Sequence, residues 1–347
     1  MEYIKISQIA EKWGISPRRV RVLCAEGKIP GVIRKGKLYM IPEDAEKPAD
    51  GRMTRNSIFS EIENKKECLS KMRPLTTGEV ERLREEFMVE FTYNSNAIEG
   101  NTLTLKETAM VLEGMTIAQK PMKDHLEAIG HRDAFMYAQD IASKEVDLTE
   151  NIIKNIHSLV LMNRPEDKGV YRRIPVRIMG AYTDPVQPYM IEPKMTELLE
   201  NNVTRENKMS IIERIALFHL EFEGIHPFID GNGRTGRLIL NLDLIRNGYP
   251  PINVKFTDRK RYYDAFDAYY RDGNSSAMSN LIAEYVNKRL DEYFAMLERW
   301  FLYGSVFAKS LKKLIIMQSQ YKIKATQFEW LFRKMYYIFE YSLKKMY

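Results

Sequence analysis

The stretch His226-Pro-Phe-Ile-Asp-Gly-Asn-Gly-Arg-Thr-Gly-Arg237 constrains this chain more than any other feature. On its N-terminal side, IIERIALFHLEFEG repeats apolar residues at three- and four-residue spacing, the period of an amphipathic helix, and Arg234–Arg246 resumes that period beyond the glycines. Gly231, Gly233 and Gly236 spell the dinucleotide-binding fingerprint, but that fingerprint follows a strand, and the helical pattern here excludes it. A Walker A loop is excluded too, because no Gly-Lys-Ser/Thr follows the glycines. What remains is a glycine loop between two helices. Backbone N–H groups at such a helix start converge on an anion, the helix dipole favours negative charge there, and a Cβ would block the approach of a phosphate. Arg234 and Arg237, three residues apart, share a helix face from which guanidinium groups address neighbouring phosphate oxygens. Asp230 is a hard oxygen ligand suited to a Mg2+ ion bridging phosphates. His226 titrates near neutrality and stands at the entrance of the loop, the place for a general base.

The rest of the chain frames that loop. Its 347 residues allow about two domains on a prior of ~150 residues each, and 44% hydrophobic with 29% charged residues excludes wholesale disorder and fibrous classes. The formal net charge of +6 is unevenly spread: residues 1–55 hold 12 basic and 7 acidic groups, residues 56–300 hold 32 and 38, and residues 301–347 hold 9 and 2. Cys24 and Cys68 make no disulfide framework, MEYIKISQIAEKW is too polar for a signal peptide, and no run reaches the ~20 apolar residues of a membrane span. A reducing, cytoplasmic setting is expected.

Residues 1–50 read as a winged helix-turn-helix. Ser7 is the expected N-cap of a helix over Gln8–Trp13 that Gly14 ends; Ser16 and Pro17 open Arg18–Glu26, and GVIRKGKLYMIP suggests two short strands around a basic turn. Arg18, Arg19 and Arg21 are placed to meet a major groove, with Arg34, Lys35 and Lys37 on the phosphate backbone. WGISPRRVRVLCAEGKIPG resembles the small MerR/excisionase-like DNA-binding domains, which makes DNA an expected partner of residues 1–50. Residues 51–74 read as linker and helix, with Glu43–Arg55 of linker composition. From there to residue 300 the patterning is mainly helical, interrupted at Gly169–Ala181, whose alternation predicts an exposed β-hairpin.

The motif resembles the Fic signature HPFx[D/E]GNGRxxR at every defined position, and the similarity runs over roughly residues 75–290. The resemblance implies a mainly α fold, a Fic helical bundle with a β-hairpin flap. It implies transfer of AMP from ATP, with Mg2+, to a hydroxyl of a target protein or of the chain itself. By the same resemblance His226 deprotonates the target Ser, Thr or Tyr, Asp230 holds Mg2+, and Gly231, Asn232 and Gly233 cradle the phosphates. Arg234 and Arg237 then take the β- and γ-phosphates, Tyr263 lies against adenine, and the flap pairs with the target as an added strand, with Met179, Gly180 and Ala181 at its tip.

Upstream, Ser95-Asn-Ala-Ile-Glu99-Gly100 is similar to the inhibitory [S/T]xxxE[G/N] pattern that accompanies many Fic domains. The resemblance implies an ion pair between Glu99 and Arg237 that keeps ATP unproductive, with Ser95 on the same helical turn. Three readings stay open beside AMP transfer: a DNA-binding regulator with a nucleotide-sensing domain, removal of AMP from modified protein, and another donor group. The basic, aromatic segment 301–347 is expected to be helical, as a packed or self-associating helix, a nucleic-acid contact or a surface-bound amphipathic helix.

Overall fold

The computed structural model describes residues 3–297, apart from 26, 37, 48–50, 73, 145, 179–183 and 207, together with residues 333 and 334. The chain divides into two units, Met1–Ser60 and Glu61–Tyr347.

In the first unit, strand β1 (Tyr3–Lys5) leads into helices α1 (Ile6–Trp13) and α2 (Pro17–Ala25), followed by strands β2 (Ile33–Lys35) and β3 (Leu38–Pro42). The sheet order is β1-β3-β2, antiparallel throughout, with Ile4 opposite Ile41 and Arg34 opposite Tyr39. Sequence patterning suggested only the two later strands, which flank a basic glycine turn; β1 has no such turn beside it, and the pairing surface of β3 supplies what it lacks. Ser7 is not the cap of α1. The helix starts two residues earlier, at Ile6, and the Lys5 N–H donates to the Gln8 side chain at 2.9 Å. Gly14, with φ of 63°, ends α1, and Ser16 Oγ accepts from the Arg19 N–H to open α2. Ile9, Trp13, Val20, Leu23, Ile29 and Ile41 close the small core.

The boundary between units falls inside helix α3 (Gly51–Lys71), so the end of the expected linker is helical. The second unit is a helical assembly: α4 (Thr77–Ile98), α5 (Leu105–Leu112), α6 (Met122–Ala142), α7 (Glu150–Val160), α8 (Ile191–Thr204), α9 (Ile211–Ile225), α10 (Asn232–Arg246), α11 (Arg259–Asp272) and α12 over residues 276–297. Thr76 with Glu79, Thr104 with Glu107 and Ser210 with Glu213 form reciprocal capping boxes that satisfy the first N–H groups of α4, α5 and α9. The core is built from Phe87, Phe91, Phe135, Ile153, Ile156, Phe222, Phe228, Leu238 and Leu242. Helix α10 packs against α4, α6, α7 and α9 and is buried nearly all round, which makes it the axis of the unit. Among the described residues, no helix is long and apolar enough to cross a membrane.

The expected β-hairpin flap is corrected in part. Residues 170–178 and 184–187 form no strand, while Met179, Gly180 and Ala181 lie outside the described residues. Pro175 and Pro185 remove N–H donors from the two arms. Arg172, 5% exposed, takes up carbonyls of both arms that a ladder would otherwise use, those of Ile174 (3.1 Å) and Val186, and also binds the His226 carbonyl at 2.8 Å. The arms are thus joined at their base by one side chain and farther out by an exposed Arg177–Asp184 ion pair at 3.7 Å. The expected helical tail 301–347 also lies outside the described residues, apart from helical Arg333 and Lys334.

Candidate active site

The motif loop is held from within. Asn232 Oδ1 accepts from the Phe228 N–H at 2.9 Å, and its Nδ2 donates to the Phe228 carbonyl at 2.8 Å, closing the loop on itself. Gly231, at φ of 77°, turns the chain into α10 in a conformation that side chains resist. With the Asn232 side chain so engaged, what the loop offers an anion is the first turn of α10, whose N–H groups have no acceptor inside a helix.

His226 caps α9 with φ of 51°, a left-handed conformation uncommon for any residue with a Cβ. That strain places the imidazole at the mouth of the loop, its side chain 20% exposed. Burial, and then the Arg172 charge, push its pKa down to about 4, so the ring is neutral and able to accept a proton at pH 7. Arg172 also binds the His226 carbonyl, which ties the base of the flap to the histidine.

Asp230 accepts from the Gly231 N–H at 2.6 Å and from Arg234 Nη2 at 3.3 Å, all through Oδ1. Burial works against its charge, but Arg234 and the Gly231 N–H hold its carboxyl below the usual range. A single carboxylate beside an anion cradle fits Mg2+, which takes one or two carboxylates plus phosphate oxygens. No group of three or more His, Cys, Asp or Glu able to hold a metal ion occurs among the described residues.

The two arginines are almost fully buried, Arg234 at 1% and Arg237 at 2% exposure, and they meet different acids. Arg234 Nη1 lies 3.1 Å from Glu127 Oε1 of α6. Arg237 donates through Nε to Ser95 Oγ (3.0 Å) and through Nη2 to the Ser95 carbonyl (2.8 Å) and Glu99 Oε1 (2.7 Å). Glu99 is the residue that ends α4, and a Cβ at Gly233 would stand 2.3 Å from its Oε1. The absence of a side chain at 233 therefore makes room for Glu99 beside Arg237. Tyr263, 38% exposed on α11, has Arg259 over its ring at 5.1 Å, whereas its neighbour Tyr262 is buried and hydrogen-bonds His219 at 2.6 Å.

The structure thus brings Ser95, Glu99, His226, Asp230, Gly231, Asn232, Gly233, Arg234 and Arg237 to the start of α10. Arg18, Arg21 and Arg34 are exposed in the first unit, Arg19 is half-buried, Lys35 has its backbone in β2, and Lys37 lies outside the described residues.

Four residues of the site were not singled out by sequence reasoning. Glu127 has no motif around it. Arg172 sits in an alternating stretch where nothing distinguishes it from Arg173. His157 stacks on Phe228 at 3.6 Å; its Nδ1 accepts from the Gly169 N–H and its Nε2 meets the Asp230 carbonyl, both at 3.0 Å, so it links the start of the flap to the loop. Glu223 has one legible signal, its position three residues before His226 on the same helical turn.

Residues 147–244 match the Fic/DOC family. Over 242 residues the chain is 31% identical to Protein adenylyltransferase Fic of Nematostella vectensis, covering 69% of this chain and 56% of that protein. Over 188 residues it is 37% identical to Protein adenylyltransferase fic-1 of Caenorhabditis elegans, covering 52% and 36%. The chain spans about half the length of the curated relatives it matches. Among solved structures, Fic-1 of C. elegans superposes with a TM-score of 0.63 at 27% identity, covering 72% of this chain and 74% of that one. A Fic domain containing signaling protein from Bacteroides thetaiotaomicron gives 0.60 at 27%, covering 68% and 94%. The chain therefore contains a Fic/DOC domain, and its similarity to proteins named protein adenylyltransferase Fic extends well beyond residues 147–244.

Proposed function

We propose that the chain is a protein adenylyltransferase that moves AMP from ATP to a Ser, Thr or Tyr hydroxyl of a target protein, or of itself, and releases pyrophosphate. The observation that carries this reading is a neutral His226 standing over a helix start that gathers free N–H groups, Asp230 and two buried arginines. In this reading His226 accepts the hydroxyl proton, the hydroxyl oxygen bonds to the α-phosphorus, and the bond from that phosphorus to the β-bridging oxygen breaks. The N–H groups of Asn232, Gly233 and Arg234 bind phosphate oxygens, and Arg237 is the partner for a terminal phosphate once Glu99 withdraws. Asp230 would hold Mg2+, which when bound neutralises charge shared by the α- and β-phosphates. Tyr263 offers adenine a half-open ring. Residues 169–187 receive the target segment as an added strand, with Met179, Gly180 and Ala181 toward the nucleotide. The chain works in the cytoplasm.

The Glu99–Arg237 pair is the proposed brake. Glu99 occupies the guanidinium that a phosphate would use, so wild-type protein is weakly active and Glu99→Gly is faster. Incubation with ATP and Mg2+, read by intact mass, tests reaction, base and brake together. An AMP adduct should grow in Glu99→Gly and vanish in His226→Ala. A phosphate adduct would move the reading to another donor group, and no adduct in any variant would overturn it. Because Glu99 is 32% exposed, we also propose that its carboxylate activates water to attack the phosphorus of an AMP-modified side chain, whose oxygen leaves and regains its proton as AMP is released. Loss of AMP from modified target with wild type but not with Glu99→Gly would support that reverse activity.

The first unit is proposed to bind DNA through Arg18, Arg19, Arg21, Arg34, Lys35 and Lys37. The exposure of Arg18, Arg21 and Arg34 supports this. Affinity in a mobility-shift series should fall with salt by about 0.9 log–log slope unit per phosphate contact, and a flat salt response sinks the idea.

A further inference from the structure

Glu223 lies on the last turn of α9, three residues before His226. Its side chain is 12% exposed, and its Oε2 stands 3.9 Å from His226 Nδ1. Glu223 Oε1 and His226 Nδ1 are both sealed from solvent without a hydrogen-bond partner. A buried polar atom left unpaired costs about 1–3 kcal/mol, so His226 Nδ1 has a strong reason to take the nearby Oε2 as its partner, while Oε1 lies on the other side of the carboxyl, by Gly236 and His219. The backbone carbonyl of Glu223 also faces His226. A carbonyl can only accept, so hydrogen on Nδ1 is the arrangement that satisfies both acceptors of residue 223.

The fold makes room for this carboxyl. A Cβ at Gly236 would stand 2.5 Å from Glu223 Oε1 and 2.9 Å from His219 Cε1. One turn earlier, a Cβ at Gly233 would stand 2.3 Å from Glu99 Oε1. Residues three apart on a helix are neighbours on one face, so two glycines open two adjacent slots on α10. The Gly233 slot admits the carboxyl that faces Arg237; the Gly236 slot admits Oε1 of Glu223, whose Oε2 faces His226. Burial, and next the charge of Glu99, push Glu223 up to about 8. At pH 7 it is therefore mostly a neutral hydrogen-bonding group, its unprotonated oxygen free to accept.

We propose that Glu223 is a positioning residue whose carboxyl receives the Nδ1–H of His226, fixing the tautomer that leaves the Nε2 lone pair for the target hydroxyl. This rests on the adenylyl-transfer reading, in which His226 is the base. Without the Glu223 side chain the Nδ1–H form keeps only the backbone carbonyl of residue 223, so more of the neutral ring carries its hydrogen on Nε2, the form that cannot accept a proton there.

The test uses the full chain labelled with 15N-histidine, as wild type, Glu223→Gln and Glu223→Met. Ring-nitrogen shifts of His226 should report hydrogen on Nδ1 in wild type and Glu223→Gln, and a shift toward the Nε2–H form in Glu223→Met. In AMP-transfer assays kcat should fall at least about tenfold in Glu223→Met, part of the ~10²–10⁴ a general base supplies, with KM for ATP changed less than about threefold. Glu223→Gln, which keeps an accepting oxygen and the side-chain shape, should recover most of that loss and serves as the folded control. An unchanged tautomer in Glu223→Met, or a loss expressed in KM alone, would overturn the proposal. A tautomer shift in protein that transfers no AMP would uphold the positioning and reject the adenylyl-transfer reading.

Discussion

Arg234 and Arg237 sit one turn apart at the start of the same helix, equally buried, yet their acids differ in kind. Glu127, which faces Arg234, is 7% exposed and is held in turn by Asn101 Nδ2 at 2.9 Å and by Lys123 at 3.5 Å. Glu99, which faces Arg237, is 32% exposed and hangs from the end of α4. Arg237 keeps two further acceptors, the Ser95 hydroxyl and carbonyl, when Glu99 is removed. A carboxylate can give way to a phosphate only if it can return to water, and the desolvation that fixes Glu127 is largely missing at Glu99. One side of the helix start is thus anchored and the other exchangeable. Asn101, two residues after Glu99, joins them, since its side chain also binds the Asp124 carbonyl at 3.1 Å.

The widest gap between the two sides should appear in stability. Glu127→Ala leaves Arg234 buried with only Asp230 opposite and should cost about 3 kcal/mol, the range for breaking a buried ion pair. Glu99→Ala should cost under about 1 kcal/mol, as expected for a partly exposed pair. Urea midpoints at constant m-value measure both, and equal losses would break the comparison. Activity should show the reverse order. Glu99→Gly should raise AMP transfer up to about fivefold, the equivalent of the ~1 kcal/mol that a partly exposed pair is worth, while Glu127→Ala should raise nothing.

A pH series sharpens the comparison from the histidines behind each arginine. Burial first, then the nearby arginines, lower His157 to about 4 and His219 to about 3, and push His131 well down. Groups with a depressed histidine pKa bind more protons unfolded than folded between their folded value and about 6.5, so stability should rise with pH across that window. Glu223, raised to about 8, works in the opposite direction, and its contribution is lost as pH rises from about 4.5 toward 8. The thermal midpoint should therefore peak near pH 6.5, and Glu223→Gln should flatten the alkaline side and steepen the rise between about pH 4.5 and 6.5. The smallest effect is expected from Asn101→Ala, about 1 kcal/mol in stability with a gain in transfer smaller than that of Glu99→Gly.

Much of the helical unit was legible because capping residues and apolar spacing are local. The pattern read over IIERIALFHLEFEG falls within α9, and that read at Arg234–Arg246 differs from α10 by two residues at its start. The misreadings fall where a partner decides the outcome. Strand β1 exists through β3, and the arms of the flap stay unpaired because Arg172 and two prolines settle their backbone groups differently. In the site, residues inside the contiguous motif could be named because their spacing is itself the signal. Glu127, His157 and Arg172 could not, since each acts through a contact distant in sequence.

Sequence alone determined the helix–glycine loop–helix and the chemistry at its mouth, because glycine, histidine, aspartate and arginine at fixed offsets leave few geometries for a helix start. It also marked Ser95 and Glu99 as one helical turn. The resemblance had already paired Glu99 with Arg237; that Glu127 meets Arg234 was decided only by the tertiary structure, through the packing of α6 against α10. The packing of α4 and α9 against α10 turned Gly233 and Gly236 into slots for Glu99 and Glu223, since a missing Cβ has meaning only when another chain segment fills the space.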